Sequence, residues 1–588
     1  MPDSLDLASL RTRYAAGTLT PTALMEDVLA RIAARGEDGV WIGRPDRVAL
    51  LDAARRLEAE GPAGKPLYGI PFAIKDNIDL AGVPTTAACP DFAYVPEESA
   101  TVVARLVSAG AIPVGKTNLD QFATGLNGTR TPYVIPGCAL SPAHIPGGSS
   151  SGSAVAVAGG LVSFALGTDT AGSGRVPAMF NNIVGLKPTK GLLSTHGVVP
   201  ACRSLDCVSI FSLTAADSRD VLAVAAGFDA ADPFSRPAGE GGGPFAVAGT
   251  RFGVPRADQL AFYGNEEGAR LFAAMTRLIE ALGGVLVEVD LAPFLETARL
   301  LYDGPWVAER YTAIRDFLAA RPQALHPVTR QIIEGGARPS AADAFAGLYR
   351  LMALRRATAP TWQTIDVLLT PTAPRQYTIA EMLADPVKRN AVLGTYTNFV
   401  NLLDLSAIAV PAGLQFDGLA FGMTLTAPAW REASLCALSG ALHAAQALPL
   451  GATGVPAGPV ARVAVCGAHM AGLPLNHQLT DRGGRLLRST RTAPGYRLFA
   501  LPGGPPARPG LLRAEGGAAI EVEVWELPLP AFGGFVAGIP APLGIGTIAL
   551  EDGTSVQGFL CEPYAAAGAR DITALGGWRA YLAQSTPG

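Results

Sequence analysis

The sequence predicts an α/β layered domain followed by a smaller, mainly β domain of α+β type, and two changes of texture along the chain carry that expectation. In residues 1–448, helix-like stretches such as Glu267–Leu282 and 433–447 alternate with short apolar runs such as Ile365–Leu369. That is the pattern of a sheet covered by helices. Residues 449–460, rich in Gly and Pro, read as a linker. In 461–588 the texture shifts to short Val-, Leu-, Phe- and Tyr-rich runs, ARVAVCGAH, GYRLFALPG, AIEVEVWELP and GTIALEDGTSVQGFLCE, the last with Asp552-Gly553 as a hairpin turn. A chain of 588 residues is too long for one ordinary core. A second Gly/Pro-rich stretch, 236–244, reads as a surface loop inside the first domain.

With 49% hydrophobic residues, 16% charged residues and a formal net charge of −4, the chain has the composition of a soluble enzyme. It offers no electrostatic case for nucleic acid. The start, MPDSLDLASLRTRYAAG, lacks the basic-then-apolar succession of a signal peptide, and no run approaches the roughly 18 apolar residues of a membrane span. A cytoplasmic protein with no membrane association is expected. The seven scattered cysteines contain no C-x-x-C, and no H-E-x-x-H occurs. Neither a metal nor another cofactor is expected, and the cysteine usage fits a reducing compartment.

Along the chain, PFAIKDNID places Lys75 where an apolar strand meets polar residues. Most lysines at such a place are solvated strand ends; the sharper reading is that burial and nearby cationic or dipolar groups disfavour the charged form of Lys75, leaving an amine that can accept a proton. Farther on, Ser149–Ser153 is expected to open a helix beginning at Ala154, and Leu161–Leu166 to form a buried strand running into the loop Thr168–Gly174. Gly/Ser-rich segments are most often linkers, yet these two are wedged into apolar sequence. Ser149 and Ser173 in such turns, with one upstream lysine, suit serine nucleophile chemistry without histidine. That chemistry needs a base for the hydroxyl proton and N–H donors for the oxyanion. Asp169 and Arg175 flank the second loop and read as a structural pair. None of the six histidines sits in a G-x-S-x-G elbow, so a Ser-His-Asp arrangement has no support. Neither Gly-rich block reads as a phosphate-binding loop.

The strand FAIKDNID, the segment GKTNLDQFATG at Gly115–Gly125, the block at Gly147–Gly152, GTDTAGS at Gly167–Ser173 and GLKPT at Gly185–Thr189 occur in that order. Together they resemble the amidase signature family of Ser-cisSer-Lys hydrolases. The resemblance implies a mixed β-sheet core covered by helices, with Ser173 as nucleophile, Ser149 as a bridging serine on a cis peptide bond and Lys75 as base. It implies a proton relay from Ser173 through Ser149 to Lys75, an acyl-enzyme, and an oxyanion hole built from the backbone N–H groups of Thr170, Ala171, Gly172 and Ser173.

Subgroup cues narrow the substrate. VPACRSLDCVSIF at Val199–Phe211, Gly174, and YDGPWVAERY at Tyr302–Tyr311 resemble the members of that family that hydrolyse allophanate. GAHMAGLPLNHQL at Gly467–Leu479, RTAPGYRLFALPG at Arg491–Gly503 and IPAPLGIGT at Ile539–Thr547 resemble their extra C-terminal domain. The likeness implies hydrolysis of allophanate to ammonia and N-carboxycarbamate in urea degradation, after a separate biotin-dependent urea carboxylase. An anionic substrate needs a cation and hydrogen bonds; the resemblance implies Arg310 and Tyr302 for this, and on one helix their spacing would place them on nearby faces. His469 and His477 are the C-terminal candidates, with a role in the N-carboxycarbamate step permitted beside assembly or docking. A homodimer is expected from base rates. Biuret or simple amides as substrates, and a place as the A-type component of an amidotransferase, are the competing readings.

Overall fold

The computed structural model describes residues 4–43, 45–446, 448–482 and 484–585. The end of the helix expected over 433–447 falls at Ala447, outside the described residues; Glu432–Gln446 is helical. Two units separate by their internal contacts. The first runs to Leu442 and takes in Pro449–Val455, and the second holds His443–Leu448 and resumes at Pro456. The stretch expected as a linker, 449–460, is thus divided between the units. In the first unit, Gly451 N–H donates to the Asn182 carbonyl (3.1 Å) and Ala452 N–H to that of Ala158 (2.8 Å).

The first unit is built on a mixed eleven-stranded sheet. In chain order its strands are β1 (Trp41–Gly43), β2 (Pro71–Lys75), β3 (Ile112–Thr117), β4 (Phe164–Asp169), β5 (Val184–Lys187), β6 (Cys207–Ser212), β7 (Arg251–Pro255), β8 (Val285–Val289), β9 (Val367–Pro371), β10 (Leu405–Leu414) and β11 (Ala420–Pro428). They lie in the order β1-β3-β2-β4-β6-β5-β10-β11-β9-β7-β8. β2 runs parallel to both β3 and β4, pairing Lys75 with Thr117 and Ile74 with Leu166. β4, β6, β5, β10, β11 and β9 follow antiparallel. Every residue of β2 and of β4 is buried, as strands covered on both faces must be. The C-terminal ends of β2 and β4 are therefore adjacent, and in sheets with parallel strands that is where ligands collect.

Two boundaries differ from the sequence expectation. The helix starts at Ser151 rather than Ala154, and β4 spans Phe164–Asp169 rather than 161–166. Ser151 and Ser153 fit inside a buried helix because their hydroxyls donate to the carbonyls of Asn118 (3.2 Å) and Leu166 (2.9 Å). β4 continues through polar Gly-Thr-Asp because β6 pairs with it as far as Asp169–Cys207.

The second unit holds a five-stranded and a three-stranded sheet. The larger contains β12 (Val460–Val465), β13 (Arg485–Arg491), β16 (Glu521–Pro528), β17 (Leu543–Ala549) and β18 (Ser555–Cys561); the smaller contains β14 (Tyr496–Leu501), β15 (Arg508–Arg513) and β19 (Arg570–Asp571). Alternate residues feed two cores, as a period of two requires. Ala464, Val522 and Val524 join one, and Val463, Val465, Trp525 and Leu527 join the other. β17 and β18 form the expected hairpin, with Gly553 at φ +82°.

Candidate active site

Lys75 ends β2 with its side chain fully buried, and its Nζ donates to Ser149 Oγ at 2.8 Å and to Thr168 Oγ1 at 2.7 Å. No carboxylate forms an ion pair with it among the described residues. Burial pushes its amine down to about 7, against the opposing pull of Asp120, Asp206 and Asp169. In a dry site an amine held only by hydroxyls sheds its proton far more readily than one paired with a carboxylate.

Ser149 follows a cis Gly148–Ser149 peptide bond. Its carbonyl accepts from Asp120 N–H at 3.0 Å. The Asp120 carboxylate in turn accepts from the N–H groups of Asn127 (3.2 Å), Gly128 (3.0 Å) and Arg130 (2.9 Å). Gly148 has no substitute here, because a Cβ on it would strike the Asp120 carboxylate.

Ser173 sits in the loop after β4, 3% exposed, and its Oγ donates to the Gly125 carbonyl at 3.4 Å. No hydrogen bond joins Ser173 to Ser149 among the described residues. The loop is fastened at both ends. The Asp169 carboxylate takes Arg175 in a two-pronged pair (2.9 and 3.0 Å) together with the N–H groups of Gly172 (2.9 Å) and Gly174 (3.0 Å). Burial alone would raise the Asp169 carboxyl, but Arg175 holds it below its ordinary value. At the other end Thr170 Oγ1 donates to Asp206 at 2.6 Å, while Asp206 also accepts from Ala201 N–H (2.9 Å) and Cys202 N–H (3.1 Å). Of the four N–H groups expected to face an oxyanion, that of Gly172 is already taken by Asp169. Those of Thr170, Ala171 and Ser173 carry no hydrogen bond among the described residues. Gly174 admits no side chain, since a Cβ would stand 2.5 Å from that of Ser209.

Tyr302 and Arg310 are not on one helix. Tyr302 lies in the helix Ala292–Asp303 and Arg310 in the helix Trp306–Ala320, with Gly304 and Pro305 breaking the chain between them. Pro305 cannot supply the N–H that continuation would need. Arg310 is buried, and both of its hydrogen bonds come from Nη1, to the Ala123 carbonyl (3.4 Å) and Thr124 Oγ1 (3.2 Å). Among the described residues its Nε and Nη2 make no hydrogen bond. Arg310 lies within electrostatic reach of Lys75, Tyr302 and Asp206.

In the second unit His469 lines a cavity of about 150 Å³ with Cys466, Gln478, Arg508 and Phe559. Its ring stacks on Phe559 (5.0 Å), and its Nε2 shares a hydrogen bond with Gln478 Oε1 (3.0 Å). Burial lowers its pKa. His477 does not line that cavity; its Nδ1 meets the Pro474 carbonyl at 2.9 Å on an exposed helix start.

Sequence reasoning missed Thr168, Asp206, Arg130 and the Gly125 carbonyl. Thr168 and Gly125 lie inside the family motifs, but their residue types carry no chemical signature of their own.

Residues 24–436 match the family described as Amidase. The chain belongs to the amidase family. Residues 461–583 of this amidase match a second family, described as Allophanate hydrolase C-terminal domain. The amidase is 43% identical to urea amidolyase of Saccharomyces cerevisiae over 588 residues, covering 95% of this chain but 32% of that protein. It thus spans about a third of the length of that relative. It is 39% identical to the solved structure of Kluyveromyces lactis allophanate hydrolase, with a TM-score of 0.72 and coverage of 97% of this chain and 98% of that one. The A-type component of the glutamyl-tRNA(Gln) amidotransferase of Symbiobacterium thermophilum is 37% identical over 72% of this chain and 92% of its own. Among the described residues no helix is long and apolar enough to cross a membrane, and no group of three or more His, Cys, Asp or Glu gathers as a metal site. All seven cysteines are free and buried.

Proposed function

We propose that this amidase hydrolyses allophanate, with Ser173 as nucleophile, Ser149 as proton bridge and Lys75 as base. The observation that carries the reading is the buried Lys75 amine, bonded to Ser149 and unpaired with any carboxylate among the described residues. Neutral Lys75 accepts the Ser149 proton. The Ser173 hydroxyl swings from the Gly125 carbonyl to Ser149, gives up its proton there and attacks the terminal carbamoyl carbon. The N–H groups of Thr170, Ala171 and Ser173 receive the oxyanion; removing one such donor elsewhere costs about 3–4 kcal/mol. Ser149 returns a proton to the departing nitrogen, ammonia leaves, and water releases N-carboxycarbamate from the acyl-enzyme by the reverse route. Loss of carbon dioxide and then breakdown of carbamate bring the yield to two ammonia and two carbon dioxide.

Arg310, through its free Nε and Nη2, and Tyr302 hold the substrate carboxylate. The relatives named urea amidolyase and allophanate hydrolase support the substrate and a place in urea degradation beside a urea carboxylase. We assign catalysis to residues 1–448 and the later N-carboxycarbamate chemistry or assembly to 461–588, with His469 the better placed of its two histidines. A cytoplasmic homodimer completes the reading. Its test is ammonia release from allophanate, biuret, malonamate and simple amides in parallel, with Ser173→Ala as control. Preferential allophanate turnover that vanishes in the control is the expected result. Preference for neutral amides would discard the Arg310 clamp, and glutaminase activity dependent on partners and tRNA would make the chain part of an amidotransferase.

A further inference from the structure

Arg130 is the feature of the first unit that the proposed chemistry leaves unused. Its side chain is 1% exposed, and it forms no ion pair among the described residues. Nη1 donates to the Thr124 carbonyl at 2.8 Å and Nη2 to the Pro386 carbonyl at 2.9 Å, while buried Nε has no partner. A guanidinium buried without a carboxylate is costly, so its retention calls for a reason in the groups it touches.

Those groups are the turn that joins the substrate clamp to the nucleophile. Thr124 receives both arginines, Arg130 on its carbonyl and Arg310 on its Oγ1. The next residue, Gly125, supplies the carbonyl that holds Ser173 Oγ. The turn is strained, with Phe122 and Ala123 at φ +51°, a region side chains disfavour. Arg130 grips it from two sides: its carbonyl accepts from Gln121 N–H (2.7 Å) and its side chain pins Thr124. Further ties are Thr124 N–H on the Gln121 carbonyl (3.1 Å), Thr124 Oγ1 on the Phe122 carbonyl (3.1 Å), Phe122 N–H on the Ala87 carbonyl (3.0 Å) and Leu126 N–H on Asn390 Oδ1 (2.8 Å).

We propose that Arg130 is a positioning residue for substrate recognition, fixing the Thr124–Gly125 turn so that Arg310 meets the substrate carboxylate at the distance at which Ser173 meets the carbonyl carbon. This rests on the Arg310 clamp. Arg130 also stands within electrostatic reach of Asp120, then of Tyr302 and Arg310, so an existing carboxylate partly balances its charge and its effect on the substrate runs through the turn it holds. Lysine cannot replace it, because one ammonium does not span two carbonyls as a planar fork does.

The test compares Arg130→Gln, Arg130→Lys, Thr124→Val and Arg310→Ala in the full chain. The readouts are kcat and KM for allophanate, inhibition by malonate, and the rate at which a neutral fluorophosphonate labels Ser173. Thermal melts confirm that each variant is folded. The expected result for Arg130→Gln is a KM at least tenfold higher and malonate inhibition weakened alike, with labelling within about threefold of the parent. Arg130→Lys should recover little, and Thr124→Val, which deletes the hydroxyl that meets Arg310 and the Phe122 carbonyl but leaves the Thr124 carbonyl to Arg130, should reproduce the selective loss even if Arg130→Gln fails to fold. Equal loss in labelling and KM, or unchanged KM and malonate inhibition in Arg130→Gln and Thr124→Val, overturns the inference. If Arg310→Ala also leaves malonate inhibition intact, the clamp itself is wrong. If Ser173 is never labelled, the nucleophile is wrong.

Discussion

Lys75 and Lys116 lie on neighbouring strands of one sheet, β2 and β3, and both are completely shielded from solvent. Their partners differ. Lys116 Nζ faces the Asp76 carboxylate at 3.1 Å and Thr85 Oγ1 at 2.9 Å. Among the described residues Lys75 Nζ has only the hydroxyls of Ser149 and Thr168. Burial lowers both amines, but the Asp76 carboxylate resists the loss of charge at Lys116, whereas no carboxylate is bonded to Lys75 among the described residues. Burial alone therefore does not make a base. What suits Lys75 to the proposed role of base is burial with hydroxyl partners, one of which, Ser149, is the proposed bridge to Ser173.

The comparison can be broken at either lysine. Lys75→Met is expected to cost about 10²–10⁴-fold in kcat, the usual worth of a positioned base, with a melting temperature close to the parent's because no ion pair is broken. Steady-state ammonia release and a thermal melt measure both. Lys116→Met should do the reverse. Stranding Asp76 without its cation costs about 3–5 kcal/mol, read as a lower urea midpoint, while the protein that remains folded keeps the pH profile of the parent. A Lys116→Met protein with normal stability and lost turnover would mean that the roles of the two lysines have been exchanged.

Smaller changes sharpen the same contrast. Arg310→Ala removes the cation offered to a carboxylate, so KM for allophanate should rise by more than about tenfold, in line with loss of a charge-assisted hydrogen bond. Its pH profile should stay in place. Thr168→Val deletes a hydroxyl that accepts from the Lys75 ammonium at 2.7 Å and so favours its charged form. Without it the amine loses its proton more easily, and the acid limb of kcat/KM should move to lower pH. Movement to higher pH would show that Thr168 serves the neutral amine instead.

The residues legible in the sequence are those whose type announces chemistry. Lys75, Ser149 and Ser173, proposed as base, bridge and nucleophile, stand in ordered motifs that mark them out, and the layered fold follows from the alternation of apolar runs with helical stretches. The hidden part is geometry. Thr168 and Gly125 act through one oxygen each, which no pattern of residue types marks. The convergence of Arg130 and Arg310 on Thr124 joins residues 186 positions apart in the case of Arg310, and only the folded sheet brings them together. The spacing argument for Tyr302 and Arg310 holds only on one helix, and the Gly304-Pro305 break puts them on two. The Gly172 N–H cannot be judged from sequence, since the Asp169 carboxylate that captures it reads there only as the partner of Arg175.

The shift at Lys75 also fixes a sign for pH. With the folded amine near 7 and the unfolded one at 10.5, the unfolded chain binds the extra proton between those values. Lys75 therefore works against folding below about pH 7, and that handicap fades as pH rises towards the unfolded value. In the proposed mechanism activity follows the same amine, because only its neutral form can accept the Ser149 proton. The most direct measurement is kcat/KM for ammonia release from allophanate between pH 5 and 9 with the unmodified protein. The account predicts a rate that falls about tenfold per pH unit well below an inflection near 7; a profile that stays flat from pH 5 to 8 would contradict it, since a lysine still charged there could not be the base.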